Sequence, residues 1–503
     1  MPGPRSLVLI TVDCLRADHV GFLGYDRPTT PFVDALAAES VVFSNAIVAG
    51  APTYYSFPAI LASRHPLALG RDVVGLAPGE PTIATVLKES GYATAAFLAG
   101  NPYLSRRFGY QAGFDAFRDF LDAEIESLVV PGNGAGSGGL LTRLNRSLAE
   151  ACHKLGLVGS LYDELYFQYC QRVAASPAPS FDRLRRYPAA DVIVDHACNW
   201  LAGVAEAPFF LWLHLMDPHS PYYPPQDALR WMGTPEISAG RARYLNSYWN
   251  RGDLGANRFR RQREEVVALY DAGIRWVDAQ VARLVETLRH SRLWDNCVFA
   301  FTSDHGEEFL DHGGRYHPPS RVAEELVRVP LLLRMPSVSQ TGPVQAPFSM
   351  IHLAPTLLEA AGAPVPSSFS GRSYGARLHS AEDWDEAAIV ECITDCANLF
   401  RADGRLGRRI VAVREKRYKL VFDFGLHREQ VFDLARDPGE FHPLPADEER
   451  PVRRRLLERL RQHLADSRGD GGSERRLRAL LKEIRLESAT AAACESELVR
   501  TQG

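Results

Sequence analysis

The chain has 503 residues, of which 46% are hydrophobic and 23% charged, and these are ordinary values for a globular protein. Its length exceeds that of one compact domain and predicts a large core domain accompanied by a smaller one. A formal net charge of -4 argues against a nucleic-acid-binding protein, and no apolar run is long enough to span a bilayer. We therefore expect neither a nucleic-acid partner nor a membrane partner.

The first apolar run, residues 6–12, leads directly into a polar motif and is not followed by the small-residue cleavage site of a signal peptide. We interpret it as the first core strand. The cysteines are scattered over the chain, at positions 14, 152, 170, 198, 297, 392, 396 and 494. That spacing is not a disulfide framework and favours a reducing compartment, the cytoplasm. Cys392 and Cys396 could share a helical face, but no second ligand pair lies near them to complete a zinc site.

Apolar runs alternate with amphipathic segments over the first 375 residues. Strands are predicted at residues 6–12, 41–46, 93–98, 208–215, 296–302 and 329–334. Helices are predicted at residues 30–40, 56–62, 82–89 and 263–290, the second of them beginning near Thr53. The alternation predicts an α/β fold with a mostly parallel central sheet flanked by helices. Residues 120–190, which contain a Gly- and Ser-rich link at 132–139, are interpreted as a helical insertion.

The pattern changes after about residue 375. Short strands are predicted at residues 388–390, 410–414, 418–422 and 430–433, and a helix at 451–464. We therefore expect a catalytic domain over residues 1–375, a small C-terminal α+β domain with a short antiparallel sheet over 376–467, and a helical or frayed tail over 468–503. The Arg-rich stretch at 453–461 is expected to be the solvated face of the last helix.

Polar residues follow the predicted strands at their carboxyl ends, which is where ligands bind in open α/β sheets. These residues are, in chain order, Asp13, Asp217, His219, Asp304, His305 and His317. A single Asp at such a position would be interpreted as a helix cap or a turn residue. Several of them converging on one sheet edge predict a metal site instead.

The predicted ligands of this site are Asp13, Thr53, Asp304 and His305. Two carboxylates, an imidazole and a hydroxyl suit one divalent ion; His305 favours Mn²⁺ or Zn²⁺, while Ca²⁺ or Mg²⁺ stays possible. Metal coordination lowers the pKa of a hydroxyl, so Thr53 could attack as an alkoxide, and its place at a helix start adds positive dipole for an anionic substrate. The alternative is that Thr53 is a plain helix cap.

Several motifs of the chain resemble those of sulfatases in the alkaline phosphatase superfamily. Sulfatases open with a motif similar to LITVDCLRADHVGFLGY of this chain, and later motifs are similar to FLWLHLMDPHSPYYPP, FTSDHGEEFLDHGG, ELVRVPLLLR and IHLAPTLLEAAGAPVP. The small closing domain of the family is similar to AVREKRYKLVFDFGLHREQVFDLARDPGE. The resemblance spans most of the chain and is weakest between about residues 120 and 190.

The resemblance implies roles for five residues. Asp13 and Asp304 match the metal aspartates of the family, and His305 takes the place that a histidine fills in its phosphatase-like branches. His219 matches the histidine that contacts the substrate oxyanion or protonates the leaving group. His317 matches the basic residue of the loop before the RVPL strand.

The chain departs from the family at the nucleophile. True sulfatases carry a C-x-P-x-R motif whose Cys or Ser is oxidised to formylglycine, whereas this chain has Thr53, Tyr55 and Phe57 at the corresponding positions. Threonine cannot become formylglycine. Cys14 stands where the family has a second Asp, and is either a weak ligand or a small buried filler. Asn101 replaces a lysine, and either donates to a transferring oxyanion or is a turn residue before a proline.

The sequence therefore predicts a metal-dependent hydrolase of small anionic esters with Thr53 as the metal-activated nucleophile. Phosphate or phosphonate mono- or diesters are preferred. The alternatives are a sulfate ester hydrolase without formylglycine, a phosphoryl transferase to an acceptor alcohol, and a non-catalytic anion-binding protein. One metal is favoured, with His219 and His317 as cationic donors and general acid; the alternative is a second metal held by Asp217, His219 and His317.

Other residues around the expected site have supporting roles. Glu307 and Glu308 are expected to hydrogen-bond the metal ligands or to begin a helix. Arg16 and Asp18 are expected to pair with each other or to pin the first loop. Three tyrosines are expected to shape the pocket of the leaving group, namely Tyr54, Tyr222 and Tyr223. Neither the leaving group nor the oligomeric state is predicted.

Overall fold

The computed structural model describes residues 4–68, 74–121, 164–165, 167–168, 180–204, 208–233, 237–336, 338, 342–379, 386–394 and 408–466. The link at 132–139, most of the expected insertion and the tail from 468 lie outside the described residues, as do Cys152, Cys170, Cys396 and Cys494. The described cysteines are free thiols: Cys14, Cys198, Cys297 and Cys392.

A large mixed sheet organises most of the chain. The strands of this part are, in chain order, β1 (Ser6–Val12), β2 (Val41–Ile47), β3 (Ala93–Leu98), β4 (Ala116–Arg118), β5 (Phe209–Leu215), β6 (Cys297–Ser303), β7 (Glu308–Phe309), β8 (Arg315–Tyr316), β9 (Arg328–Arg334) and β10 (Phe348–Ser349). Eight of them form one sheet in the order β10-β2-β9-β6-β1-β5-β3-β4, and β7 and β8 form a separate antiparallel pair. Within the large sheet only β9 runs antiparallel to its described neighbours, so the prediction of a mostly parallel sheet is confirmed.

Helices cover both faces of this sheet. They are, in chain order, α1 (Pro31–Ala37), α2 (Thr53–Ala62), α3 (Ile83–Glu89), α4 (Phe181–Leu184), α5 (Ala190–Leu201), α6 (Gln226–Trp231), α7 (Ala239–Trp249), α8 (Arg263–His290), α9 (Glu324–Val327) and α10 (Leu353–Ala361). Successive side chains of a strand point to opposite faces. Accordingly Val8 and Ile10 of β1 pack into the core under α1, α5 and α8, whereas Leu7 and Leu9 pack into the core under α2, α3 and α10.

A second sheet follows, as the sequence predicted. It is antiparallel, in the order β11 (Ala388–Ile393), β12 (Arg409–Arg414), β13 (Tyr418–Asp423) and β14 (Arg428–Asp433), and α11 (Arg450–Asp466) follows it. Leu456 and Leu460 of α11 pack on one face of this sheet, while Val390 and Ala412 face the main core. The Arg-rich stretch at 453–461 was expected to be a solvated face, but Arg455 forms an ion pair with Glu415 at 2.6 Å.

One helix is shorter than expected, and two others were not predicted. The helix expected at 30–40 ends at Ala37, and the hydroxyl of Ser40 donates to the carbonyl of Leu36 at 2.8 Å, which favours a turn over continued helix. The helices α7 and α10 were not predicted, since their apolar positions lie inside stretches rich in aromatic or small residues. Among the described residues, no helix combines the length and the apolarity that a membrane span requires.

Candidate active site

The carboxyl ends of three adjacent parallel strands carry the central residues of the site. Val12, the last residue of β1, lies beside Leu215 of β5 and Ser303 of β6 in the sheet register. Asp13 and Asp304 directly follow β1 and β6 and are fully buried. Strand order thus places two carboxylates side by side, as the sequence pattern predicted.

Thr53 is the first residue of α2 and reaches this pair from another part of the chain. Its Oγ1 lies 3.2 Å from Nε2 of His305, and the residue is 4% exposed. The position before the helix is occupied by Pro52, and the Thr53 side chain makes no capping bond. The hydroxyl therefore faces the carboxylate and imidazole groups rather than serving as a plain helix cap.

The turn after β6 holds His305 in place. The ring Nδ1 hydrogen-bonds the carbonyl of Gly306 at 2.8 Å, which leaves Nε2 directed at the site. A Cβ at Gly306 would lie 1.8 Å from the carbonyl oxygen of Glu325, so only glycine permits this close approach of the two backbones.

The donor atoms have the spacing of ligands around one ion. Nε2 of His305 lies 3.5 Å from Oδ2 of Asp304 and 3.7 Å from Oδ1 of Asp13. Ligands bound to one ion at about 2.1 Å are separated by about 3.0–3.4 Å. Oδ2 of Asp304 is buried without a hydrogen-bond partner, which is costly unless a cation completes its coordination. The residues therefore fit a divalent metal ion.

The electrostatics of the two aspartates also indicate a cation. Burial opposes ionisation of Asp13, but His219, His214 and His305 outweigh it and hold the pKa of this carboxyl well below its usual range. Burial and then the adjacent Asp13 raise the pKa of Asp304. Two buried carboxylates repel each other at this distance, and a divalent ion between them would remove the repulsion.

His214 was missed by the sequence analysis. It lies within β5, and its Nε2 donates to Oδ2 of Asp13 at 3.1 Å. The other ring nitrogen of His214, Nδ1, lies 3.0 Å from Oγ1 of Thr11 and can accept the proton of that hydroxyl. Oγ1 of Thr11 in turn accepts from Nε1 of Trp212 at 3.0 Å. The sequence feature that could have identified His214 as a site residue is its position as the single polar residue of the otherwise apolar strand FFLWLHL.

Asn101 supports the same carboxylate. Its Nδ2 donates to Oδ2 of Asp13 at 2.8 Å, and its Oδ1 accepts from the backbone of Tyr103 at 3.0 Å. The residue thus makes the turn contact considered in the sequence and also contacts a metal ligand. Its expected contact with a substrate oxyanion stays a prediction.

His219 and His317 are brought together next to Asp13. Their ring centroids are 5.2 Å apart, and the ring of His317 is 4.6 Å from that of His305. Burial lowers the pKa of His219. For His317 burial acts in the same direction, but the Glu307 carboxylate outweighs it and raises the pKa. Sγ of Cys14 lies 3.4 Å from Nδ1 of His317 and donates to Oδ1 of Asp13 at 3.0 Å.

Asp217 does not join the two histidines. Among the described residues, the compact donor cluster that contains these two histidines has Cys14 as its third member. Asp217 instead accepts through Oδ1 from the backbone of Ala190, the first residue of α5, at 3.3 Å, and burial raises its pKa to about 7. The structure therefore does not bring Asp217 together with His219 and His317, as the expected second-metal set requires, and Cys14 is the residue that joins the two histidines.

The surrounding residues hold the loops of the site. Arg16 pairs with Asp18 at 2.8 Å, as expected, and also with Asp311 at 2.9 Å. Glu308 accepts from the backbone of Gly314 at 2.7 Å. Glu307 is buried beside His317, with Oε1 3.4 Å from Nδ1.

The three tyrosines expected near the pocket have different neighbours. Tyr54 packs on Tyr103 at a centroid distance of 5.1 Å, and Tyr222 packs on Tyr270 at 6.1 Å. Tyr223 lines a small cleft together with His219. Tyr223 therefore shares a cleft with a predicted catalytic residue.

Comparison with known proteins identifies the family. The model of the family described as Sulfatase matches residues 5–363, and the model described as "N-sulphoglucosamine sulphohydrolase, C-terminal" matches residues 315–468. Arylsulfatase K of Canis lupus familiaris is 23% identical over 476 residues, which cover 87% of this chain and 78% of that protein. Arylsulfatase of Clostridium perfringens is 24% identical over 488 residues, which cover 88% of this chain and 91% of that protein.

Solved structures share the fold. A structure in complex with its substrate D-glucosamine-2-N,6-O-disulfate has a TM-score of 0.70 at 18% identity and covers 94% of this chain and 99% of its own. The phosphonate monoester hydrolase of Agrobacterium radiobacter has a TM-score of 0.63 at 20% identity, and the match covers 92% of this chain and 96% of that one. The family model spans well over half of the chain, and the protein belongs to the sulfatase family of hydrolases.

Proposed function

We propose that this protein hydrolyses a small monoanionic ester, with Oγ1 of Thr53 as the nucleophile. The observation that carries the proposal is the position of Thr53 at the start of α2, with Oγ1 3.2 Å from Nε2 of His305 and beside the two buried aspartates. A hydroxyl in a carboxylate and imidazole cluster, and at the positive end of a helix, is suited to attack on an anionic centre.

Asp13, Asp304 and His305 would hold one divalent metal ion, and Thr53 would be its fourth protein ligand. Bound there, the ion would lower the pKa of the Thr53 hydroxyl and offset charge on the ester oxygens. The imidazole ligand favours Mn²⁺ or Zn²⁺ over Ca²⁺ or Mg²⁺. His214 and Asn101 both donate to Oδ2 of Asp13 and so orient its Oδ1 toward the site.

The reaction is a double displacement. Oγ1 of Thr53 releases its proton and bonds to the sulfur or phosphorus, the bond from that atom to the ester oxygen breaks, and the leaving alcohol takes up one proton in exchange. Water then attacks the same central atom and releases the anion together with the restored threonine hydroxyl. His317 is the better proton donor of the two histidines, because the buried Glu307 carboxylate beside it favours the protonated ring. His219 contacts the transferring oxyanion.

Charge favours a monoanionic substrate. The carboxylates of Asp13 and Asp304 would offset both charges of a divalent ion, and the Glu307 carboxylate lies nearby. A dianionic phosphate monoester would therefore meet little net positive charge, whereas a sulfate monoester, a phosphodiester or a phosphonate monoester carries one charge.

A sulfate monoester is the first candidate. Curated relatives that cover most of the chain are named as arylsulfatases, which supports sulfate ester hydrolysis more than the phosphodiester preference expected from the sequence. A phosphonate monoester or phosphodiester is the second candidate, and one residue favours it. Thr53 cannot form the hydrated aldehyde through which formylglycine sulfatases release sulfate, so the intermediate must be resolved by water at the central atom.

The test is a comparison of kcat/KM for one aryl alcohol esterified as sulfate, phosphonate monoester, phosphodiester and phosphate monoester, on protein loaded with Mn²⁺ or Zn²⁺. We expect the three monoanions to exceed the dianion by at least about tenfold, with the sulfate first. A higher value for the phosphate monoester would contradict the charge argument. Turnover confined to the phosphonate and the diester would replace the first candidate by the second.

A further inference from the structure

A second group of metal-binding side chains lies directly beside the site described above. Cys14, His219 and His317 place one donor atom each within 4.8 Å of one another. They come from three distant segments: the end of β1, the loop after β5 and the loop after β8. The thiol and the two imidazoles are ligand types that borderline-soft ions such as Zn²⁺ prefer.

The distances are compatible with shared coordination. Nδ1 of His317 is 3.4 Å from Sγ of Cys14, within hydrogen-bond range for sulfur, and 3.4 Å from Oε1 of Glu307. The distance to Oε1 is longer than an N–H···O hydrogen bond, which is normally 2.7–3.2 Å long. Tetrahedral zinc with bonds of about 2.0 Å to nitrogen and 2.3 Å to sulfur separates such ligands by about 3.3–3.5 Å.

Glu307 supplies an independent indication that a positive charge belongs at this place, which either a protonated His317 or a metal ion would provide. The residue is 0% exposed, and neither carboxylate oxygen has a hydrogen-bond partner. A buried carboxylate with no hydrogen bond is strongly unfavourable unless an opposite charge lies close to it. Its Oε1 faces the same His317 nitrogen as the Cys14 sulfur does.

Hydrogen bonds to the backbone hold two of these ligands, His219 and Cys14, in position. Nδ1 of His219 donates to the carbonyl of Ser220 at 2.5 Å, which leaves Nε2 for a metal, and this outer hydrogen bond is typical of metal-binding histidines. Cys14 has a φ of 61°, a left-handed conformation that is uncommon for a residue with a side chain. The hydroxyl of Tyr270 donates to the Cys14 carbonyl at 2.7 Å and fixes that turn.

We propose that Cys14, His219, His317 and Glu307 form a second metal site that binds Zn²⁺ through the Cys14 thiolate. It is distinct in its donors from the site of Asp13, Asp304 and His305, because it contains sulfur and excludes Asp217. Binding of the ion displaces the thiol proton of Cys14. Only the consequence for the reaction rests on the proposed function: an occupied site engages His317 and withdraws it as a proton donor, so Zn²⁺ at this site inhibits turnover.

Cobalt is a spectroscopic substitute that reports sulfur ligation directly. The full chain, freed of metal by a chelator, would be titrated with Co²⁺ while thiolate-to-cobalt charge transfer is recorded in the near ultraviolet and the bound metal is counted. We expect two equivalents and a sulfur band for the unaltered protein. Cys14→Ser and His317→Ala should each bind one equivalent, and Cys14→Ser should lose the band.

Two control variants separate this site from other effects. Cys297→Ser replaces another buried thiol, in β6, and should keep both equivalents and the band. Asp217→Asn should also keep both. A single equivalent in the unaltered protein, or a band that survives in Cys14→Ser, overturns the proposal. If the band is present in the unaltered protein and lost in Cys14→Ser, but no ester is hydrolysed, the second metal site is supported and the proposed function is contradicted.

Discussion

Nε2 of His214 lies 3.1 Å from Oδ2 of Asp13, and neither atom is exposed to solvent. The bond ends a chain of contacts that runs from Trp212 through Thr11 to the carboxylate. Oδ2 accepts from both His214 and Asn101, whereas Oδ1 accepts from the Cys14 thiol and faces Nε2 of His305, so Oδ1 is the oxygen directed at the metal site. The central strand β5 therefore orients a ligand that belongs to the neighbouring strand end.

Replacing His214 tests this orientation. We expect His214→Ala to weaken metal binding by about 10–100-fold, the usual effect of losing a hydrogen bond to a metal ligand. His214→Gln can still donate near the same position and should recover part of the loss. The measurement is calorimetric titration of metal into the chelator-treated protein. Equal affinity for His214→Ala and the unaltered protein would show that the contact does not orient Asp13.

Thr53 is tested by removing its hydroxyl and by keeping it in a smaller residue. We expect Thr53→Ala to reduce kcat by at least about a thousandfold, since no described side chain replaces the attacking oxygen, while Thr53→Ser should keep substantial turnover. Far-ultraviolet circular dichroism should be unchanged in both variants, because the side chain makes no capping bond to α2. Undiminished kcat in Thr53→Ala would remove Thr53 as the nucleophile.

Asp304 is expected to oppose folding in the absence of metal. Its Oδ2 is buried without a hydrogen-bond partner next to another carboxylate. We expect Asp304→Asn to raise the free energy of unfolding of the metal-free protein by about 1–2 kcal/mol. The same change should abolish most of the stabilisation that added Mn²⁺ or Zn²⁺ gives. Thermal unfolding with and without metal measures both effects, and an equal metal-induced rise in Tm for both proteins would exclude Asp304 as a ligand.

His312 gives the stability a defined pH dependence. Its hydrogen bond of 2.7 Å to Glu325, opposed by partial burial, raises its pKa to about 9 in the folded protein. The unfolded value is about 6.5, so the stabilisation is complete below about pH 6.5 and is lost as the pH rises through about 9.

The corresponding variant is His312→Gln. Because the ring is partly exposed, we expect it to lower the free energy of unfolding by about 1 kcal/mol or less at pH 6, and to have little effect at pH 10. Denaturant titrations at both pH values provide the measurement. His442→Gln is the matched control, since that side chain is 87% exposed. A difference that persists at pH 10 would mean that the charge of His312 is not its cause.

Much of the architecture could be predicted because it follows from local patterns. The apolar runs at β1, β5 and β6 are long enough to be recognised as buried parallel strands, and parallel neighbours bring Asp13 and Asp304 to one edge. The position of Thr53 could be predicted from its place before a short helical segment. These inferences depend on the parallel direction of the strands, which the alternation of strands and helices along the chain indicates.

The partners of individual side chains could not be predicted in the same way. Cys14 and Asp217 both follow central strands, yet the thiol meets His317 while the carboxylate meets the first turn of α5. The difference lies in backbone direction, such as the φ of 61° at Cys14, and this changes where a side chain points without changing the residue pattern.

The sequence by itself determined the fold class, the sulfatase resemblance and the first group of candidate ligands, because strand ends and ordered motifs are local properties. Only the tertiary structure decided that His214 points from β5 at Asp13, and that Cys14 and Glu307 lie beside the two histidines. The contacts of Asp13 with His214 and of Cys14 with His317 join segments more than 200 residues apart. Their geometry depends on the twist and register of the assembled sheet, which no single segment contains.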